Sequence, residues 1–165
     1  MKLQYKNGEE FFLKYNQFFH LVIALSLLPF GLIWLAKKKG FELEVPSEAV
    51  GYVLYAVLGG LILFLFFRSM RSYKTGYKDF SKEWTLREKL DFFYSSNYKK
   101  YLGLGIATLI AVAGYLVDTS YFFIFVYVLL LFSMSIGRPA ERKIEKELAL
   151  SKEEIEEFRK AKEIQ

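Results

Sequence analysis

The chain has 165 residues, a formal net charge of +5 and no cysteine. Hydrophobic residues make up 53% of it and aromatic residues 19%, more than an ordinary soluble domain of this length carries. The lack of cysteine excludes disulfides, iron–sulfur clusters, cysteine-ligated zinc and thiol catalysis. Charged residues still amount to 25%, so they must be segregated from the apolar runs.

Four apolar runs follow one another along the chain, at residues 17–36, 49–67, 101–117 and 121–137. A helix of about 20 residues crosses the hydrocarbon core of a bilayer, and one of about 17 just spans it. Only residues 118–120 join the last two runs, so these must form an antiparallel hairpin. We therefore predict an all-α integral membrane protein with four transmembrane helices, arranged as two hairpins, and cytoplasmic amphipathic helices.

Polar segments flank the membrane domain 17–137 and predict its orientation. The N-terminal segment 1–16, the basic loop 68–100 and the tail 138–165 together hold twenty Lys and Arg residues, and four spans place them on one side. The opposite side receives three, all in Lys37-Lys38-Lys39. Because basic residues concentrate on the cytoplasmic side, both termini are predicted to be cytoplasmic.

The basic loop contains a predicted helix. Thr85 is a candidate N-cap, and Leu86, Leu90 and Phe93 fall on one helical face. Such a helix would either lie in the headgroup region of the membrane or pack on the tail. Four basic residues of the loop are candidates for contact with anionic lipids: Lys74, Lys78, Lys82 and Arg87.

The tail predicts two amphipathic helices, broken near Leu150-Ser151. Ser151 and Glu154 match a capping box, which marks the start of the second helix. An interrupted apolar stripe runs along both helices and is a candidate docking face for a partner, formed by Ile144, Leu148, Ile155 and Phe158.

The third run carries a stripe of small residues at helical spacing: Gly103, Ala107, Ala111 and Gly114. Small side chains let another helix approach closely within a membrane. The stripe is expected to pack inside the four-helix bundle, with a homo-oligomer or a protein partner as the alternative.

Signals for chemistry are sparse. His20, the only histidine, lies near the cytoplasmic end of the first run; it is an intramembrane polar candidate, or else an interfacial residue without a reaction. The sequence has no phosphate-binding glycine loop, no HExxH and no GxSxG motif. We expect no catalytic, cofactor or metal site, and no nucleic-acid partner, because the basic residues fit membrane flanks better.

The second half of the chain resembles a family of small bacterial inner-membrane proteins. The resemblance rests on the segment ending in Lys89-Leu90, on Arg138-Pro139, and on Lys143-Ile144 followed by Leu148 and Leu150. It implies four spans and a bacterial inner-membrane location, and it assigns no functional residue.

Three functions remain open from the sequence. The leading hypothesis is a membrane scaffold or accessory subunit that docks partners through its cytoplasmic loop and tail. A small oligomeric transporter or channel built from two related hairpins is the alternative. A lipid-modifying enzyme, working through the basic loop, is the third.

Overall fold

The computed structural model describes residues 3–41, 43, 47–77, 80–117, 121–160 and 164, and this part of the chain is helical without any strand. The all-α prediction is therefore confirmed for these residues. The six helices, numbered in chain order, are α1 (Gly8–Lys38), α2 (Glu48–Gly76), α3 (Leu86–Val117), α4 (Phe122–Ile136), α5 (Glu141–Glu147) and α6 (Lys152–Arg159).

Three of these helices are long and apolar enough to cross a membrane. α1, α2 and α3 have 31, 29 and 32 residues, so each exceeds about 40 Å in length. α4 has 15 residues, or about 22 Å, and it forms a fourth candidate span only when taken with α5, from which it is bent by 73°. The described helices thus give three to four candidate spans.

The long helices extend beyond the predicted runs, except that α3 ends with its run at Val117. Asn7 caps α1 by accepting from the Glu10 amide at 2.8 Å, so much of the predicted N-terminal segment is helical. Thr85 and Glu88 cap α3 reciprocally, with N–H···O distances of 2.9 and 3.3 Å. The short helix predicted in the basic loop is the first half of α3, because no glycine or proline interrupts the chain between Leu86 and Leu102.

α3 lies at the centre of the molecule, and α1, α2 and α4 pack around it. α1 runs parallel to α3, since the Phe19 ring lies 5.1 Å from Tyr101 and the Phe30 ring lies 5.6 Å from Tyr115. α4 runs the opposite way, because its start meets Gly114 and its end meets Tyr101. α2 also runs opposite to α3, since Ser69 meets Gly103 and Tyr55 lies by Gly114, so the chain direction alternates from one long helix to the next.

The ends of α1, α2 and α3 that project beyond the bundle combine with α5 and α6 into a second unit. We call this unit the head; it comprises the described residues in 3–16, 70–77, 80–100 and 138–164. α6 approaches α1 so closely that a Cβ on Gly8 would overlap the Phe158 main-chain carbonyl. The buried apolar side chains of the head belong to the same core cluster as those of the bundle; they are Tyr5, Phe11, Tyr15, Leu86, Leu90, Phe93, Tyr94, Ile144, Leu148, Phe158 and Ile164.

Candidate functional site

The small-residue stripe of α3 is occupied by the protein's own helices. Ala107 and Ala111 are fully buried, a Cβ on Gly103 would overlap the Ser69 side chain of α2, and one on Gly114 would overlap the Phe123 ring of α4. α2 and α4 therefore use the close approach that the stripe permits.

The apolar stripe of the tail corrects an expectation. Ile144, Leu148 and Phe158 are buried in the head core, and Ile155 is half-buried. Phe158 packs on the start of α1, where its ring lies 6.5 Å from that of Phe11 and its main chain meets Gly8. With the stripe covered by the protein itself, any partner must meet other residues of the tail.

The structure describes three of the four predicted lipid-contact residues, Lys74, Lys82 and Arg87. Lys74 and Lys82 are exposed, and Lys78 lies outside the described residues. The Arg87 guanidinium lies 5.5 Å from the centre of the Tyr5 ring and donates to the main-chain carbonyl of Ile164 at 3.3 Å. Arg87 thus helps to close the head around the two chain ends.

His20 is exposed on α1, with its ring 5.6 Å from that of Phe19. The described residues contain no group of three or more His, Cys, Asp or Glu side chains placed to hold a metal ion.

Where the bundle meets the head, a polar cluster joins α5 to α2. The Glu147 carboxylate of α5 accepts from the hydroxyl of Tyr73 on α2 at 2.7 Å, and from that of Tyr77, the residue after α2, at 2.9 Å. Lys143, one turn before Glu147, lies 3.8 Å from the other carboxylate oxygen. Hydrogen bonds to a charged acceptor are stronger than neutral ones, so this cluster clamps the short α5 in place.

Lys100 of α3 lies on the buried side of this polar cluster, which we call the junction. Its side chain is almost fully buried, and its ammonium group lies 4.4 Å from the centre of the Tyr73 ring and 5.4 Å from that of Tyr101. The Tyr101 hydroxyl donates to the Gly137 carbonyl, and the Lys143 ammonium donates to the same oxygen at 3.1 Å. The aromatic faces offset part of the desolvation of the buried cation.

The protonation state of Tyr77 indicates that the junction has a structural role and does not serve acid–base catalysis. Burial first, then the neighbouring Tyr73 and the Glu147 carboxylate, raise the pKa of Tyr77 far above its usual range. Tyr77 therefore stays a neutral hydrogen-bond donor. The helical spacing of Tyr73 with Tyr77, and of Lys143 with Glu147, can be read from the sequence. No sequence pattern, however, indicates that these two segments, more than 60 residues apart, are in contact.

Three hydroxyl groups inside the bundle bond back to their own helices. Ser26 donates to the Ile23 carbonyl at 3.0 Å, Ser69 to the Leu65 carbonyl at 2.7 Å, and Thr108 to the Gly105 carbonyl at 2.7 Å. These hydroxyls are satisfied within a single turn of helix.

No protein-family model, curated protein or solved structure matches the chain. The resemblance to small four-span bacterial membrane proteins stays a prediction.

Proposed function

We propose that the protein is a non-enzymatic accessory subunit or scaffold of a bacterial inner membrane. In this proposal four spans hold both termini in the cytoplasm, and the head presents a docking surface to a protein partner. The alternating helix directions and the concentration of Lys and Arg on one side support this topology.

The observation that carries the proposal is the continuity between bundle and head. α1 and α3 pass from the bundle into the head without a break, and the polar junction fixes α5 against α2. A partner bound to the head would consequently be held at a fixed height and orientation above the membrane. Rigid positioning is what a scaffold or an accessory subunit supplies.

The docking surface would be the solvent side of α5 and α6. With the apolar stripe turned inward, these helices expose a mixed set of charges: Glu141, Arg142, Lys146, Lys152, Glu153 and Glu156. Such a surface fits a polar protein partner of complementary charge pattern, in which rim charges set specificity and association rate.

The alternatives have less support. Transport through the bundle would need polar side chains that face a path, whereas Ser26, Ser69 and Thr108 bond to their own helices. Lipid modification by the basic loop would need its cations to converge, whereas Arg87 is directed to Tyr5 and Ile164.

The lack of cysteine makes a direct test simple. Single-cysteine variants Glu153→Cys, on the exposed face of α6, and Lys39→Cys, at the opposite end of α1, would be expressed in a bacterial membrane. A membrane-impermeant maleimide applied to intact cells or spheroplasts should label only Lys39→Cys. A photoactivatable maleimide, applied to permeabilised membranes, should give a discrete crosslinked product from Glu153→Cys.

The Lys39→Cys variant is the matched control for the crosslink. A product from the control alone, or none from either variant, would contradict docking through the head. Labelling of Glu153→Cys from outside would contradict the proposed orientation.

A further inference from the structure

A groove of about 750 Å³ follows the exposed face of the second half of α2, beside Lys99 of α3. Phe64 and Phe67 form its bundle end, with side chains 57% and 64% exposed. Arg68 and Arg71 come next, toward the head. The lining thus changes from aromatic to cationic within about two helical turns.

Among the described residues, the cations of the groove have no acidic partner. No carboxylate lines the groove, and in the described part of the chain Arg68, Arg71 and Lys99 form no ion pair. Arg68 instead lies 6.0 Å from the centre of the Phe64 ring. Three like charges in one groove repel each other, and a bound anion would relieve that repulsion.

Two hydroxyl groups add neutral donors at the head end. Ser72 and Thr75 line the groove beyond the arginines and are exposed. Guanidinium groups bind phosphate oxygens in a fork geometry, and hydroxyls donate to phosphate and glycerol oxygens. The polar half of the groove is therefore chemically suited to a phosphate ester.

The groove lies at the expected level of the membrane surface. Ser69, next to Arg68, packs at Gly103, two residues into the apolar run of α3. Aromatic side chains on the bundle side and cations on the head side match the order of acyl chain and phosphate in a phospholipid leaflet.

We propose that this groove binds one anionic phospholipid, with its phosphate on Arg68, Arg71 and Lys99 and an acyl chain along Phe64 and Phe67. The site differs from a diffuse collar, meaning an unspecific ring of basic residues at the membrane surface, because its cations share one groove with an apolar surface. It also differs from the residues that the sequence indicated, since neither Lys74 nor Lys82 lines it. This inference is independent of the proposed docking function.

The test compares two double variants that remove the same charge. Arg71→Gln with Lys99→Gln removes two cations of the groove, and Lys74→Gln with Lys82→Gln removes two exposed cations outside it. Each protein would be purified in mild detergent, equilibrated with equal amounts of phosphatidylglycerol and phosphatidylcholine, and examined by native mass spectrometry. The wild type should retain one phosphatidylglycerol in preference to phosphatidylcholine.

Each basic residue near an anionic headgroup contributes about fivefold to binding. Retention by the groove variant should therefore fall about 30-fold, while the matched variant keeps the wild-type value. Equal losses in both variants would overturn the proposal in favour of a diffuse collar. Equal retention of the two lipids would also overturn it.

A second arm separates a lipid from a simple anion. Phe67→Ser should weaken retention of phosphatidylglycerol, and soluble glycerol 3-phosphate should compete only weakly. If glycerol 3-phosphate displaces the lipid as well as short-chain phosphatidylglycerol does, the groove is an anion site without an acyl-chain contact, and the lipid proposal fails.

Discussion

The head and the helical bundle share helix α3, but different interactions hold each of them together. The head is held together by large buried side chains and, in addition, by ion pairs such as Lys89–Glu154 at 2.6 Å and Arg159–Glu145 at 2.7 Å. In the bundle, the described helices meet through small residues and stacked rings, such as Tyr55 on Phe123 with centroids 5.3 Å apart.

The membrane location that we propose for the bundle would account for this difference. Water drives apolar side chains into a core, whereas lipid is as apolar as a leucine and would exert no such drive between helices. In the most apolar 18-residue stretch of α2, 6% of the residues are buried, against 56% in that of α3, although the mean hydropathy of the α2 stretch is higher, 2.4 against 1.6. The central helix is therefore the one whose small residues let its neighbours approach closely, and not the most apolar one.

The largest expected effect is in the head, at the buried pair of Lys89 and Glu154. The Lys89 side chain is 4% exposed, and the same Glu154 carboxylate also caps α6 through the Ser151 amide at 2.8 Å. Lys89→Met should lower the free energy of unfolding of the head by about 3 kcal/mol, because it leaves a partly buried carboxylate unpaired.

Thermal unfolding in detergent and limited proteolysis of the tail would measure the change. Adding Glu154→Gln to Lys89→Met should restore part of the stability. Lys160→Met, which removes an exposed pair with Glu156, should change little. Similar losses for Lys89→Met and Lys160→Met would show that the head does not depend on the buried pair.

The bundle should respond most to added volume in α3. Gly114→Leu would drive a side chain into Phe123, which is buried and stacked on Tyr55, at a cost of about 2 kcal/mol or more. Gly60→Leu in α2 should be tolerated, because nothing lies within 4 Å of a Cβ at that position.

The midpoints of thermal unfolding of the two glycine variants would give this comparison. A Gly60→Leu variant as unstable as Gly114→Leu would mean that the open side of α2 is also covered, for example by a second copy of the chain.

The smallest predicted change in stability has opposite signs in the head and in the bundle. Ala149, between α5 and α6, has φ = 45°, a left-handed conformation that costs an L-residue roughly 1 kcal/mol. Ala149→Gly should therefore raise the stability of the head by up to about 1 kcal/mol. Ala113→Gly, at an exposed helical position in α3, should lower stability by a similar amount. Destabilisation by Ala149→Gly would contradict the left-handed conformation.

Local signals in the sequence were reliable where the physics is local. Thr85 caps α3 and Ser151 forms a capping box with Glu154, as expected, and the tail breaks near Leu150. A cap depends on side chains within four residues, so its pattern is readable directly. The helix ends were less predictable, because α1 and α3 continue into polar sequence that tertiary packing covers.

The amino-acid sequence by itself determined the helical class, the apolar runs, the caps and the segregation of charge, because each depends on residues close along the chain. Only the tertiary structure decided that the tail stripe is core, that Glu147 meets Tyr73 and Tyr77, and that Arg68, Arg71 and Lys99 share a groove with Phe64 and Phe67. Those contacts join residues far apart in sequence, and they exist because α3 brings α2 and the tail to the same level.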